Sequence, residues 1–172
     1  CELQQVRLTN KSAEKRSLRF TAAVEWCLWN AVDDSTNFQR NLNIGELEVE
    51  GSVIYHKTEY RERRDHYAYY GVNAPLSGYD TDRDHFLGLF GSFAAPQAIV
   101  SGTAGDFVAH GGAPMAALHL DVELLPGESK SFVFVLGYAR NARDQKFIAP
   151  GVIRKDGAYR VLKEFSTDAA VD

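Results

Sequence analysis

The sequence has 172 residues, of which 45% are hydrophobic, 12% aromatic and 24% charged, with a formal net charge of -4. That length suits one domain or one and a half, with material enough for a core, and the composition excludes disordered, collagen-like and disulfide-stapled chains. The negative charge excludes an electrostatic nucleic-acid binder, and no window approaches the roughly 18 consecutive apolar residues of a membrane-spanning helix.

The chain opens Cys1-Glu2-Leu3 without a Met and reads as a segment cut from a longer protein. Two cysteines make no secreted framework, and Cys27, inside the apolar run Val24–Trp29, is expected to be a buried, inert thiol. No leader or lipidation pattern is read, so a cytoplasmic location is expected.

Most of the chain reads as strands. Gln5–Thr9 and Ser17–Asn30 flank the polar turn Asn10–Arg16, which suggests a hairpin. Glu46–Glu50 alternates Leu47 and Val49 with glutamates, and Gly51-Ser52 separates it from a strand over Val53–Glu59. His66–Asn73 is rich in aromatics. Ala116–Leu124 has the clearest period of two, with Leu118, Leu120, Val122 and Leu124 on one face and His119, Asp121 and Glu123 on the other. Pro126-Gly127 then turns into Ser131–Tyr138, whose Phe-Val-Phe-Val-Leu run predicts burial on both faces, and the two strands are expected to pair as a hairpin. Asp156–Phe165 carries Tyr159, Val161, Leu162 and Phe165 near helical spacing, with Asp156 as a possible N-cap. Short strands and one late helix predict a mainly β fold, an antiparallel β-sandwich. Asn30–Gly45 and Ala74–Gly112 lack strong period, and loops of such length in a compact β domain are usually functional.

Several constellations resolve to plain readings. Asp80-Thr81-Asp82-Arg83-Asp84 imitates a calcium loop, but His85 stands where the sharp-turn Gly belongs and Gly91 where the bidentate Glu belongs. A solvated acidic turn is expected there, and no metal. The histidines at 56, 66, 85, 110 and 119 have no metal-ligand spacing, and His119 with Asp121 reads as a surface pair. Ser101-Gly102, Gly105 and Gly111-Gly112 read as flexible loop rather than a phosphate cradle. Arg61, Arg63 and Arg64 are interleaved with Glu59, Glu62 and Asp65 and neutralise themselves.

Trp29–Asn41 differs. It sets Asn30, Asp33, Asp34, Asn37, Gln39 and Arg40 beside Trp29 and Phe38. An aromatic face suits the C–H side of a sugar ring, and planar amides, carboxylates and a guanidinium suit its hydroxyls. The same composition also fits an ordinary polar loop at a strand end.

Together, Glu25-Trp26-Cys27-Leu28-Trp29-Asn30-Ala31, Asp33-Asp34, Thr36–Asn41 and Gly45-Glu46 resemble the N-terminal domain of the cellobiose phosphorylase family, glycoside hydrolase family 94, which also holds the N,N'-diacetylchitobiose phosphorylases. The likeness continues through Ile54–Asp65, Gly78–Arg83, Phe86-Leu87-Gly88, Leu125–Gly127 and Val135–Tyr138. It implies the second half of a galactose mutarotase-like supersandwich over residues 1–150, and the start of a helical linker over 151–172 that leads to an (α/α)6 barrel in a homodimer. It further implies inverting phosphorolysis: a carboxylic acid protonates the glycosidic oxygen while inorganic phosphate, a co-substrate rather than a cofactor, attacks the anomeric carbon. Cellobiose would give α-glucose 1-phosphate and glucose. The resemblance places the acid and the phosphate site in the barrel, so no catalytic residue is expected in this chain. It carries substrate binding to Gln39 and Arg40, with Asp33 and Asp34 as loop support. Expected partners are the disaccharide and the remainder of the parent chain. Where the family often has Gly-Trp after an Ala-His, Gly111-Gly112 follows Ala109-His110, which leaves the substrate open. A non-catalytic carbohydrate-binding sandwich and a phosphorylase for chitobiose or another β-linked disaccharide are the alternatives.

Overall fold

The computed structural model describes residues 1–26, 46–57, 65–142 and 145–165. Two antiparallel sheets face each other. The larger has the order β1-β8-β5-β4-β3, from β1 (Glu2–Thr9), β8 (Ser129–Arg140), β5 (His66–Val72), β4 (Val53–Lys57) and β3 (Glu46–Glu50). The smaller has the order β2-β7-β6, from β2 (Arg16–Glu25), β7 (Pro114–Leu124) and β6 (Gly78–Asp82). Leu118, Leu120, Val122 and Leu124 of β7 meet Phe132, Phe134, Tyr70 and Ile54 of the larger sheet between the layers. These are the inward residues that the period of two singled out.

The run Phe132–Val135 is buried on both faces, as its composition predicts. Phe132 and Phe134 face the other sheet, while Val133 and Val135 face outward beneath a second layer. That layer is α3 (Asp156–Phe165), whose Ala158, Val161 and Leu162 cover Tyr55, Tyr67 and Tyr69. Tyr159 departs from the expected apolar face: it is exposed, and its hydroxyl donates to Glu50 Oε1 at 2.5 Å. Between β8 and α3 the small hairpin β9 (Phe147–Ala149) and β10 (Val152–Ile153) follows the chain back toward β3. Burial pulls the Lys155 ammonium downward, but hydrogen bonds to Glu48 and Glu50 outweigh it and leave its pKa raised.

Both hairpins expected from the sequence, β1 with β2 and β7 with β8, are corrected. β1 pairs with β8 and β2 with β7, so neither β1–β2 nor β7–β8 is a hairpin. Each connection crosses from one sheet to the other. Asn10 is the hub of the crossing: its backbone bonds Glu128 O and Gly127 N, and its side-chain amide donates to Glu14 O and Leu124 O. Alternating hydrophobicity fixes which face of a strand is inward but not whether the next strand lies beside it or across the core. β3–β4 and β4–β5 are adjacent pairs.

The weakly periodic stretch 74–112 contains β6, α1 (Arg83–Leu87) and α2 (Gln97–Ser101). Phe86, Leu87 and Ala98 pack on Met115 and Ala117, covering the outer face of the smaller sheet. Among the described residues no helix is long and apolar enough to cross a membrane.

Candidate functional site

Antiparallel pairing sorts the connections between the two ends of the sandwich. One end carries the tight turns at 51–52 and 125–128. At the other, β2 ends, β3 begins, β4 ends and β7 begins, so the roots of 27–45, 58–64 and 109–113 converge there. Gln39, Arg40, Asp33 and Asp34 lie outside the described residues, as do Cys27, Arg61, Arg63 and Arg64. What the structure gives is the floor at that end, built from the described residues that flank 27–45.

That floor is polar and buried. Trp26, just past β2, is 8% exposed and stacks on His56 of β4 with ring centroids 5.5 Å apart. Trp26 Nε1 and both ring nitrogens of His56 have no hydrogen-bond partner among the described residues. Burial pushes the His56 pKa down to about 4, so the ring is neutral near pH 7, with one nitrogen carrying a proton to donate and the other a lone pair to accept. Beside the pair, Glu46 bridges to His110 across the strands and takes a 2.8 Å hydrogen bond from Lys57 Nζ, which holds its carboxyl below the usual range. Arg83 Nε donates to Glu25 Oε1 at 2.6 Å, and its guanidinium lies 5.7 Å from the Phe93 ring centroid. Donors, acceptors and aromatic faces at one loop-bearing end are the equipment for recognising hydroxyl-rich ligands. Gly111 and Gly112 have φ of 83° and 77°, a left-handed conformation in which a tryptophan at 112 would be strained.

A second polar cluster corrects two expectations. Asp80 is not in a solvated turn: it sits in β6 at 1% exposure and takes hydrogen bonds from Gly105 N, His85 Nδ1 and His119 Nε2, each 2.9 Å. Only Asp82 behaves as a turn acid, capping α1 through His85 N. His119 is likewise no surface residue. It is 1% exposed and pairs with Asp80 rather than Asp121, while exposed Asp121 forms a two-pronged pair with Arg19 at 2.7 and 3.0 Å. On its other side, His119 Nδ1 and the Thr21 hydroxyl share a hydrogen bond of 2.7 Å. The covering excursion removed the solvent that the sequence led one to expect, and the two histidines with Gly105 replaced it. Gly105 is required there, since a Cβ would approach Asp80 Oδ1 to 2.7 Å. Ser101-Gly102 and Gly105 are therefore ordered: Gly102 caps α2 in a left-handed conformation. Among the described residues no group of three or more His, Cys, Asp or Glu is placed to hold a metal.

The family model for the glycosyl hydrolase 94 supersandwich domain matches residues 1–153. The chain belongs to that family. It is 26% identical over 92% of its length to the N,N'-diacetylchitobiose phosphorylase of Vibrio furnissii, and 28% identical over 95% to the solabiose phosphorylase of Paenibacillus borealis. It is also 30% identical over 79% of its length to the cyclic β-(1,2)-glucan synthase NdvB of Rhizobium meliloti (strain 1021). The chain spans 20% and 22% of the two phosphorylases and 5% of the synthase. This supersandwich domain thus keeps its sandwich and its loop-bearing end within a small share of its relatives' length.

Proposed function

We propose that this supersandwich domain is the acceptor-side sugar-binding part of a larger inverting disaccharide phosphorylase. Residues 1–150 supply the sandwich and 151–172 open the linker toward a catalytic domain, in a cytoplasmic homodimer. Gln39 and Arg40 contact the sugar, with Asp33 and Asp34 supporting their loop. Arg offers a rigid fork of donors, and Gln both a donor and an acceptor. Inorganic phosphate is the co-substrate, and the reaction's acid belongs to the remainder of the parent chain.

The observation that carries this reading is the phosphorylase likeness over more than nine-tenths of the chain, including the loop whose roots are Trp26 and Glu46. Cellobiose is the substrate that the motifs between residues 24 and 91 favour. A second reading, N,N'-diacetylchitobiose, is favoured by relatives in two Vibrio species. Sugar 1-phosphate release by the parent protein, assayed on both disaccharides with and without phosphate, tests the proposal. Release that requires phosphate is expected, and hydrolysis without phosphate would overturn it.

A further inference from the structure

Away from the loop-bearing end, the β3–β4 turn and the start of β6 frame a groove of about 410 Å³. Its walls include Pro75, Leu76 and Tyr79, with Ser52, Ser77 and Asp106 as polar lining. Such a volume lies at the small end of ligand-binding pockets.

Asp106 shapes it. Among the described residues it is the single non-glycine with positive φ, at 52°. Its backbone N–H donates to Tyr79 O at 3.0 Å, and its Oδ1 accepts from Tyr79 N at 2.9 Å, so the residue is strapped to the edge of β6. Gly78 permits the approach: a Cβ there would lie 2.7 Å from Ala104 Cβ and 3.1 Å from Asp106 Oδ1. Asp106 Oδ2 takes no hydrogen bond among the described residues. Arg19, the cation whose field reaches Asp106, is itself engaged by Asp121.

The chemistry of the lining selects its occupant. An anion would face the Asp106 carboxylate with no cationic side chain in the lining. A purely apolar ligand would leave that carboxylate desolvated and unpaired. A neutral pyranose satisfies both walls: its C–H face lies on Tyr79 and Leu76, and its hydroxyls donate to Asp106 Oδ2. We propose that this groove is a second saccharide-binding site, distinct from the Gln39-Arg40 loop, that takes one or two neutral pyranose rings. The choice of a saccharide rests on the carbohydrate-active reading above. The site would hold a longer glycan, or a second sugar, without taking part in bond cleavage.

The test uses the full-length parent protein carrying Arg40→Ala, which disables the loop-end site, and cellotetraose as probe in saturation-transfer NMR. Binding is expected to persist in that background and to weaken about tenfold on adding Tyr79→Ala. Asp106→Asn keeps the left-handed backbone and the acceptor for Tyr79 N, so it tests the carboxylate without risking the fold; a loss of several-fold is expected. Phosphorolysis by Asp106→Asn in the otherwise unaltered protein is expected to match that of the parent; Asp106→Asn serves here because Tyr79 also packs against the sandwich core. No binding in the Arg40→Ala protein, or equal binding with and without the groove substitutions, would overturn the proposal. Groove-dependent binding in a protein without phosphorolysis would sink the phosphorylase reading and leave this site standing.

Discussion

Asn10, where the chain crosses between sheets at the turn-bearing end, is 4% exposed and its side chain is fully bonded: the amide donates twice, and Oδ1 accepts from Ser12 N and Oγ. His56, at the loop-bearing end, is 2% exposed and bonded at neither nitrogen among the described residues. Both are buried polar groups in one small sandwich. Leaving such a group unpaired costs about 1–3 kcal/mol, and among the described residues Asn10 is satisfied where His56 is not. Unpaired buried groups of this kind concentrate where a protein binds something. The contrast supports the proposal that the end flanking residues 27–45 is the binding end.

Acid should break the contrast most strongly. The folded pKa of His56, about 4, lies below the ordinary 6.5. As pH falls through 6.5 the unfolded chain takes up a proton that the folded chain refuses until about pH 4. His56 therefore lowers stability progressively across that window, by about 3 kcal/mol in all, and adds nothing further below it. Denaturant melts of the parent protein at several pH values should show this loss. His56→Leu should remove that part of the slope, and a slope identical in the two proteins would show that His56 is not the group responsible.

The turn end should respond next. Asn10→Ala strands Leu124 O and Glu14 O and is expected to cost about 2 kcal/mol, read as a lower denaturation midpoint with unchanged m-value. A smaller and opposite effect is expected at neutral pH from His56→Leu, which replaces a polar ring unpaired among the described residues with an apolar side chain and should add about 1 kcal/mol. If both substitutions destabilised equally, the two ends would not differ as described.

Much of this architecture was legible in the residues. The alternation in 116–124, the double burial of 132–135 and the helix over 156–165 all follow from periodicity, because each side chain's face is set by geometry within its own element. Pairing was not legible. Asn10–Arg16 and Pro126-Gly127 look like hairpin turns, yet both carry the chain across the core, and local turn chemistry is alike in the two cases. Asp80 and His119 were misread for a related reason. Their burial depends on Phe86, Leu87 and Ala98 folding over the outer face of the smaller sheet from a stretch with little period of its own. Of the proposed sugar site, the residue types in 29–41 suggested the chemistry, and the structure describes the end of the sandwich that flanks residues 27–45.

The most direct test is kcat/KM for disaccharide phosphorolysis by the full-length parent protein carrying Arg40→Ala. Loss of a charged hydrogen bond to substrate should lower it by roughly ten- to a hundredfold, about 1.5–3 kcal/mol, while the denaturation midpoint stays within error. An unchanged kcat/KM would contradict the assignment of sugar recognition to the loop-bearing end.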